Sequence, residues 1–190
     1  MNKPLFLAVG KSASGKTTIA NILDEQYGYK QVWSYCTRKP RYDGEIGHIF
    51  VSEDEFNSLG ELVAYTEYNG HKYGTTATQL DKCSIYVVDV PGVETLLQRY
   101  KTTRPIVIIY FDATVHTRIN RMRNRGDSDN AIISRLLQDE EDDWFKQLDR
   151  LVWHYDRIIQ KDVALYSINA NESIDNVLDM VRSYMEDEVW

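Results

Sequence analysis

The residues most suggestive of chemistry stand in a glycine-rich run that ends in lysine and threonine. The run reads Gly-Lys-Ser-Ala-Ser-Gly-Lys-Thr from Gly10 to Thr17 and matches the pattern GxxxxGK(S/T). In such loops backbone N–H groups and the start of a helix surround phosphate oxygens, the lysine reaches the β- and γ-phosphates, and the hydroxyl can bind Mg²⁺. The pattern predicts an ATP-binding loop with Lys16 as its catalytic cation. The predicted ATP contacts are Gly10, Ser12, Ala13, Ser14, Gly15, Lys16, Thr17 and Thr18.

A carboxylate, Asp89, ends an apolar run that begins at Ser84. Such a residue at the end of a strand is typical of the aspartate that lies near Mg²⁺ in P-loop enzymes. The same position also suits a helix cap or a turn residue. We expect Asp89 and Thr17 to be the metal ligands.

The elements that must position these residues alternate between strands and helices. Residues 4–9 form a short apolar run before the loop, and apolar residues follow Lys16 at helical spacing. Two further runs, 84–90 and 106–111, have the β-branched density of strands buried on both faces, and a helix-like stretch follows each. Alternation of this kind predicts an α/β fold with a parallel sheet.

Between residues 37 and 79 the sequence becomes polar, aromatic and punctuated by glycine. Short pieces at 48–51 and 62–68 predict antiparallel strands there. We therefore expect an insertion on the sheet.

The second half of the chain is predicted to be mainly helical. Helices are expected at 114–123, from 130 to about 148, and up to 185 after a polar cap that begins at 171. A turn-rich hinge at 124–129 separates the first two and carries Arg125. Such a break suits a moving lid.

Composition narrows the classes of protein further. With 190 residues and a formal net charge of −7, the chain has the size of one domain, 1–190, and no surplus of cations for a nucleic-acid partner. Cys36 and Cys83 lie far apart without CxxC spacing, which predicts neither a disulfide framework nor a zinc site. No apolar run approaches the roughly 20 residues that span a bilayer, and the start lacks a signal-peptide pattern. We expect a soluble cytoplasmic protein with no membrane partner.

Residues 34–52 read Ser-Tyr-Cys-Thr-Arg-Lys-Pro-Arg-Tyr-Asp-Gly-Glu-Ile-Gly-His-Ile-Phe-Val-Ser. This stretch resembles the guanylate kinase hallmark Ser-x-x-Thr-Arg-x-x-Arg-x-Gly-Glu-x-x-Gly-x-x-Tyr-x-Phe, with the last spacing compressed. The resemblance continues through Tyr73-Gly74-Thr75 and the arginines at 121, 125 and 135. It implies a P-loop NTPase fold with a five-stranded parallel sheet, an inserted monophosphate-binding subdomain at about 37–80 and a lid at about 122–131.

The resemblance also implies a site for the phosphate of an acceptor. Arg38 and Arg41 match phosphate ligands of the family, and two guanidinium groups suit a dianionic phosphate because each can bind it through two hydrogen bonds. His48 stands where the family has a phosphate-contacting tyrosine. The predicted acceptor ligands are Ser34, Arg38, Arg41, His48, Tyr73, Thr75 and Asp89.

A lid kinase needs cations over the transferring phosphoryl group, because the transition state spreads charge over the equatorial oxygens. Arg121, Arg125 and Arg135 are expected to be these catalytic lid arginines. The adenine-binding loop is expected after the last strand. Either Lys161-Asp162 or Asn169-Ala170-Asn171 fits that position, and Asn169 is favoured.

Two positions depart from the family. A subdomain Glu and an Asp two residues before the strand-end Asp accept hydrogen bonds from guanine in the family, and ungapped counting puts Ala64 and Val87 there. Glu61 or Glu67 can substitute if the alignment carries a gap. A site without these carboxylates should discriminate less between bases.

The leading hypothesis is a nucleoside monophosphate kinase that uses ATP and Mg²⁺, with GMP or dGMP as the default acceptor. A P-loop kinase of a non-nucleotide acceptor such as a sugar phosphate would explain Ala64 and Val87. A non-catalytic interaction module of the same family is a third possibility, which the intact Gly15, Lys16 and Thr17 oppose. The partners expected are ATP and a small phosphorylated acceptor, bound by a monomer or a homodimer.

Overall fold

The computed structural model describes residues 3–140 and 143–186 and folds them around two β-sheets. The strands are β1 (Leu5–Val9), β2 (Ser34–Cys36), β3 (His48–Phe50), β4 (Ala64–Tyr68), β5 (His71–Thr75), β6 (Ile85–Val87), β7 (Ile106–Asp112) and β8 (Val163–Asn169). The helices are α1 (Lys16–Tyr27), α2 (Glu53–Asn57), α3 (Ala77–Asp81), α4 (Val90–Arg99), α5 (Val115–Asn124), α6 (Asp129–Glu140), α7 (Trp144–Arg157) and α8 (Ile174–Glu186).

The central sheet is parallel, with the strand order β6-β1-β7-β8. Phe6 on β1 pairs with Ile85 on β6 and with Val107 on β7. Beyond β6, Gln31 forms an isolated parallel bridge to Ile85, at the place of a fifth strand. The predicted α/β fold with a parallel sheet is confirmed, although the described residues give four strands and one bridge instead of five strands.

Both faces of the central sheet are covered by helices. Leu5, Leu7 and Val9 of β1 belong to one apolar cluster, which includes residues of α4 and α7. Phe6 and Ala8 belong to a second cluster, which includes residues of α1 and α8. This two-sided burial explains why β1 is apolar without alternation, and it holds the end of β1 firmly where the phosphate loop begins.

The second sheet has the order β3-β2-β5-β4 and lies in the region that the sequence predicts as an insertion. The antiparallel pairing predicted for residues 62–68 is confirmed, because β4 forms a hairpin with β5. The prediction for residues 48–51 was wrong: β3 pairs parallel with β2, Ser34 opposite His48. The long connection between β2 and β3 allows this, since parallel neighbours cannot be joined by a tight turn.

The single helix predicted from 130 to about 148 is instead two helices, α6 and α7. Asp143 caps the second, because its side chain accepts a hydrogen bond from the backbone N–H of Lys146 at 3.2 Å. Residues 141 and 142 of the predicted helix lie outside the described ranges. None of the helices in the described part of the chain is long and apolar enough to cross a membrane.

Candidate active site

The phosphate loop follows β1 directly and ends where α1 begins. A Cβ on Gly10 would lie 2.7 Å from the carbonyl oxygen of Phe111 and 2.9 Å from Ser14 Oγ, so only glycine fits against β7 at this point. Gly15 has a φ of 105°, which side chains rarely adopt. The sequence thus folds a tight loop that leads directly into α1.

Lys16 is the first residue of α1, and its side chain turns back over the loop. Its Nζ donates hydrogen bonds to the carbonyl oxygens of Gly10 at 2.6 Å and Lys11 at 2.9 Å, and to Ser14 Oγ at 3.3 Å. Burial lowers its pKa to about 8, partly opposed by the charge of Asp139. Its side chain is partly buried rather than freely exposed.

One cavity, of about 320 Å³, lies between the phosphate loop, the start of α1, α5 and α8. We call it the loop cavity. It is lined by residues 13–19 and by Arg121, Arg125, Ile174 and Val177. The start of α1 and the two arginines make this cavity suitable for a polyphosphate.

A second cavity, of about 160 Å³, lies between the phosphate loop and the second sheet. We call it the sheet cavity. Gly10, Ser12 and Lys16 line it from the loop side. Its other lining residues are Ser34, Arg41, His48, Tyr65, Thr66, Tyr68, Tyr73, Tyr86, Val87, Val88, Asp89, Gly92, Asp139 and Trp144. Of the described residues that line these two cavities, only Lys16 lines both.

Arg38 and Arg41 are held together by Glu45. The carboxylate of Glu45 accepts two hydrogen bonds from the Arg38 guanidinium and one from the backbone N–H of Arg41, at 2.6 to 2.8 Å. Burial would raise the pKa of Glu45, but these hydrogen bonds and the charges of both arginines outweigh it and hold the pKa at about 2. Arg41 lines the sheet cavity, whereas Arg38 is 8% exposed and packs over the ring of Phe50.

Ser34 and His48 face each other across β2 and β3, with Ser34 Oγ 3.0 Å from His48 Nδ1. The ring of Tyr73 lies edge-on to His48 at 5.6 Å between centroids. Burial, then the charge of Arg38, lowers the pKa of His48 to about 4, so the ring is neutral near pH 7. Ser34, His48 and Tyr73 all line the sheet cavity, whereas Thr75 is fully buried and is not among its lining residues.

The predicted lid arginines occupy different places. Arg125 donates two hydrogen bonds to Asp127, and Arg135 Nε lies 4.0 Å from the same carboxylate. Burial lowers the pKa of Arg41, and the positive charges of Arg38, Arg135 and Arg125 lower it further. Asp127 and Glu45 hold this group of cations together without a bound anion.

Arg121 contacts the phosphate loop itself. Its NH1 donates to the carbonyl oxygen of Ser14 at 3.0 Å and to that of Ala13 at 3.4 Å, and its NH2 donates to Glu172 O at 3.4 Å. It therefore ties the loop to the segment after β8. Arg121 lies at the loop cavity and is not among the residues that line the sheet cavity.

The two predicted metal ligands line different cavities, Thr17 the loop cavity and Asp89 the sheet cavity. Asp89 also caps α4, with its Oδ1 accepting the backbone N–H of Gly92 at 2.9 Å, and burial raises its pKa. No cluster of three or more His, Cys, Asp or Glu side chains in the described ranges could hold a metal. Thr17 and Asp89 suit Mg²⁺ that arrives with phosphates, because that ion takes one or two protein ligands and keeps its other positions for phosphate and water.

No carboxylate stands at the two positions where the resemblance to the guanylate kinase family leads us to expect one. Ala64 is fully buried, and Val87 lines the cavity. Glu67 accepts a hydrogen bond from Tyr65, and neither Glu67 nor Glu61 is among the lining residues. The residues that line the cavity include Tyr65, Thr66, Tyr68 and Tyr86, together with the carboxylates of Asp89 and Asp139.

The two segments considered for adenine binding lie at opposite ends of β8. Lys161 precedes β8, at the amino end of that strand and away from the phosphate loop. Its Nζ donates hydrogen bonds to the carbonyl oxygens of Leu97 and Tyr100 at the end of α4. Asn169 ends β8 on the side of the loop, and its Oδ1 accepts hydrogen bonds from Asn171. Asn169 is not among the residues that line the loop cavity.

The sequence analysis assigned no role to three residues at the site, Arg118, Asp139 and Tyr68. Arg118 on α5 and Asp139 on α6 form a fully buried ion pair of 2.7 Å, and Asp139 also meets Tyr68 of β4. One signal was present: Arg118, Arg121 and Arg125 are spaced i, i+3, i+7 and share one face of α5. Ser12 was predicted to contact ATP, but its backbone N–H donates to Asp139 and it lines the sheet cavity.

A parallel sheet, a phosphate loop and two cavities that share its lysine define a P-loop kinase. Among curated proteins, the guanylate kinase of Geobacter metallireducens is 30% identical over 146 residues, covering 70% of each chain. The guanylate kinase of Lactobacillus johnsonii is 28% identical over 199 residues, covering 97% of this chain and 88% of its own. The chain belongs to the guanylate kinase family. It is a phosphotransferase of the nucleoside monophosphate kinase class.

The fold agrees with solved structures of the same kind. The crystal structure of guanylate kinase from Anaplasma phagocytophilum superposes with a TM-score of 0.56 at 17% identity, covering 97% of this chain and 85% of that one. At this identity the likeness speaks for the fold alone. No family model matches the sequence.

Proposed function

We propose that this protein transfers the γ-phosphoryl group of ATP to a nucleoside monophosphate whose base it reads only loosely. The observation that carries the proposal is the position of Lys16 between the loop cavity and the sheet cavity. A phosphoryl donor in the first and an acceptor in the second would meet at this cation. In-line transfer needs that arrangement, since catalysis of phosphoryl transfer is mainly positioning and charge stabilisation.

On the donor side, residues 13–18 surround the ATP phosphates with backbone N–H groups. Lys16 exchanges its contacts with Gly10, Lys11 and Ser14 for the β- and γ-phosphates. Thr17 and Asp89 are the residues that would hold Mg²⁺, and the ion would neutralise charge that develops on the phosphate oxygens. Asn169 stays our candidate for the adenine end.

On the acceptor side, Arg41, Ser34, His48 and Tyr73 bind the acceptor phosphate, and Arg38 supports them through Glu45. Neutral His48 has one N–H to donate: if Ser34 donates to Nδ1, the proton sits on Nε2 and is available to a phosphate oxygen. Arg125 and Arg135 of the lid then supply charge to the transferring group. In this proposal Asp127 releases them when the anion arrives.

GMP is the family's acceptor, but the cavity favours a wider choice. With Ala64 and Val87 at the base-reading positions, the carboxylates that line the cavity are those of Asp89, which caps α4, and Asp139, which pairs with Arg118, and the other polar side chains of the lining include the hydroxyls of Thr66, Tyr68 and Tyr86. A hydroxyl donates or accepts, so it does not select the donor edge of guanine. The same observation supports a second candidate acceptor, a sugar phosphate, whose own hydroxyls would pair with Thr66 and the tyrosines.

The domain organisation implied by the family also stays a proposal: one domain over 1–190, an acceptor-binding insertion at about 37–80 and a lid at about 122–131. The net charge of −7 argues against a nucleic-acid partner. The cations that line the two cavities, Lys16, Arg41, Arg121 and Arg125, suit small anions.

The deciding experiment incubates the purified protein with Mg-ATP and a panel of acceptors: GMP, dGMP, AMP, CMP, dTMP and ribose phosphates. Formation of ADP and of the phosphorylated acceptor is followed together, so that simple ATP hydrolysis is not counted as transfer. The Lys16→Ala variant is the negative control. Transfer to no member of the panel, or equal transfer by the control variant, would contradict the proposal.

A further inference from the structure

A buried network joins the phosphate loop, the lid helices and the second sheet at one point. Arg118 Nε donates to the carbonyl oxygen of Ser12 at 3.0 Å, and Arg118 NH2 donates to Asp139 Oδ2 at 2.7 Å. Asp139 Oδ2 also accepts the backbone N–H of Ser12 at 2.8 Å. Both backbone groups of a single loop residue are therefore held by one ion pair.

Tyr68 of β4 completes the network from the side of the second sheet. Its hydroxyl lies 3.0 Å from Ser12 Oγ and 3.3 Å from Asp139 Oδ1. Arg118 is 1% exposed and Asp139 is fully buried, so water does not weaken these contacts. Hydrogen bonds that involve charged groups in a dry site are among the strongest that proteins make.

The ion pair lies one or two turns from each proposed catalytic arginine. Arg121 and Arg125 follow Arg118 by three and seven residues on α5, and Arg135 precedes Asp139 by four residues on α6. Residues at these spacings share a helix face, so fixing Arg118 and Asp139 fixes the rotation and height of both helices. The distance along α5 from Arg118 to Arg125 is only about 10 Å at the rise of an α-helix.

We propose that Arg118 and Asp139 are positioning residues, which set the lid arginines at the correct distance from the phosphate loop. The inference rests on the proposed phosphoryl transfer. Neither residue is needed to touch ATP or the acceptor: the pair acts through Ser12 on the loop and through Arg121, Arg125 and Arg135 on the lid. Tyr68 carries the same constraint to the sheet cavity, which Tyr68 and Asp139 both line.

Stability alone does not explain why this pair is charged. Replacing a buried ion pair by apolar residues of similar size is often neutral or stabilising, whereas removing one partner leaves an unpaired buried charge. Stability alone therefore gives little reason to keep a charged pair at this place. The pair also gives the loop two backbone hydrogen bonds that apolar residues cannot make.

The test is the double variant Arg118→Leu/Asp139→Leu, with kinetics and thermal unfolding measured on the same preparation. We expect a lower Tm, because the backbone N–H and carbonyl of Ser12 lose their partners, together with a fall in kcat of about 100-fold and a rise in the KM for ATP, because misplacement by about 1 Å has an effect of that size. The matched control is Arg104→Leu. Arg104 also donates to several backbone carbonyls, but at the opposite end of the sheet, so its loss should lower the Tm and leave kcat unchanged.

A conservative variant, Arg118→Lys, keeps the result decisive if the double variant does not fold. Lysine retains the charge opposite Asp139 but cannot donate in a fork to Asp139 and Ser12 at once, so we expect a folded protein with a kcat reduced at least tenfold. Wild-type kcat in Arg118→Lys, or in a folded double variant, would overturn the inference.

Titration with a non-hydrolysable ATP analogue separates this inference from the proposed function. If the wild type phosphorylated no acceptor, the proposed function would fail, and analogue binding would still decide the role of the pair. We expect at least tenfold weaker binding in the double variant, or in Arg118→Lys where that is the folded one. Affinity within twofold of the wild type would overturn the inference.

Discussion

Glu45 holds Arg38 by two hydrogen bonds, from NH1 at 2.8 Å and from NH2 at 2.6 Å, in a geometry that a carboxylate and a guanidinium adopt without strain. The same carboxylate accepts the backbone N–H of Arg41 at 2.7 Å. Glu45 therefore holds Arg38 and Arg41 in place beside the sheet cavity. Preorganised cations cost little to arrange at the moment of binding, and this favours the acceptor phosphate.

The first prediction concerns these arginines. Arg41→Ala should raise the KM for the acceptor by at least tenfold and leave the affinity for ATP nearly unchanged, because Arg41 lines the sheet cavity and not the loop cavity. Arg38→Ala should do the same and also lower the Tm, since it leaves the buried Glu45 without its main partner. Steady-state kinetics with each substrate varied in turn measures both effects. Equal damage to ATP binding would place these arginines elsewhere.

The second prediction is that Lys16→Ala abolishes phosphoryl transfer and leaves the fold intact. Among the described residues, the hydrogen bonds of Lys16 Nζ go to its own loop, so its loss removes charge neutralisation of the β- and γ-phosphates without opening the core. Lys30→Ala, an exposed lysine away from both cavities, is the control for loss of one positive charge. Circular dichroism should be unchanged in both variants. Turnover like that of the wild type in Lys16→Ala would refute the role of the phosphate loop.

The third prediction concerns His48 and pH. Its pKa is about 4 in the folded protein, below the ordinary value of 6.5, so the unfolded chain binds a proton that the folded protein excludes. Stability should therefore fall as the pH decreases from 6.5 to 4, with a slope from this group of at most about 1.4 kcal/mol per pH unit. The physical causes are burial and the neighbouring charges of Arg38 and Arg41, partly opposed by Glu45.

Urea unfolding of the wild type and of His48→Asn between pH 4.5 and 7 measures this slope. We expect a weaker pH dependence in the variant. Glu45, whose pKa of about 2 lies below its ordinary 4.5, also loses its stabilising contribution on acidification, but only below pH 4.5. Identical pH dependence of the two proteins above pH 4.5 would mean that His48 titrates normally.

The sequence predicts the central sheet and the phosphate loop well because both depend on local signals. The apolar runs of β1 and β7 and the glycines at 10 and 15 each carry their own physical reason. The parallel pairing of β3 with β2 was not predictable in this way, since pairing partners are set by the packing of distant segments. Short strands of three residues carry too little periodicity to show it.

The buried pair of Arg118 and Asp139 was missed for a different reason. Charged residues on helices are normally solvated. No local feature of the sequence indicates that Arg118 is 1% exposed and that Asp139 is fully buried. Their partner, Ser12, lies more than 100 residues away along the chain. The break between α6 and α7 was equally hidden, because the residues on both sides of it suit a helix.

The last prediction is that the preference for GMP is weak and that Val87 is one cause of this. Val87 lines the sheet cavity where the family has a guanine-binding carboxylate, and Glu61 and Glu67 are not among the lining residues. Each hydrogen bond to a charged group contributes roughly 1.5 to 3 kcal/mol, so the absence of two such groups removes orders of magnitude of discrimination. The measured quantity is the ratio of kcat/KM for GMP to that for AMP, CMP and dTMP under one set of Mg-ATP conditions.

The variant Val87→Asp tests this prediction by adding a carboxylate at the sheet cavity, which should increase the preference for GMP. Val87 is only partly buried, so a carboxylate there can face the cavity, whereas a Glu at the fully buried Ala64 has no such room. We expect Val87→Asp to raise the preference for GMP over AMP by roughly tenfold or more. Val87→Asn adds polarity without charge and should have a smaller effect. A wild-type preference for GMP above about a thousandfold would contradict the prediction, because that range belongs to sites with dedicated hydrogen-bond partners for the base.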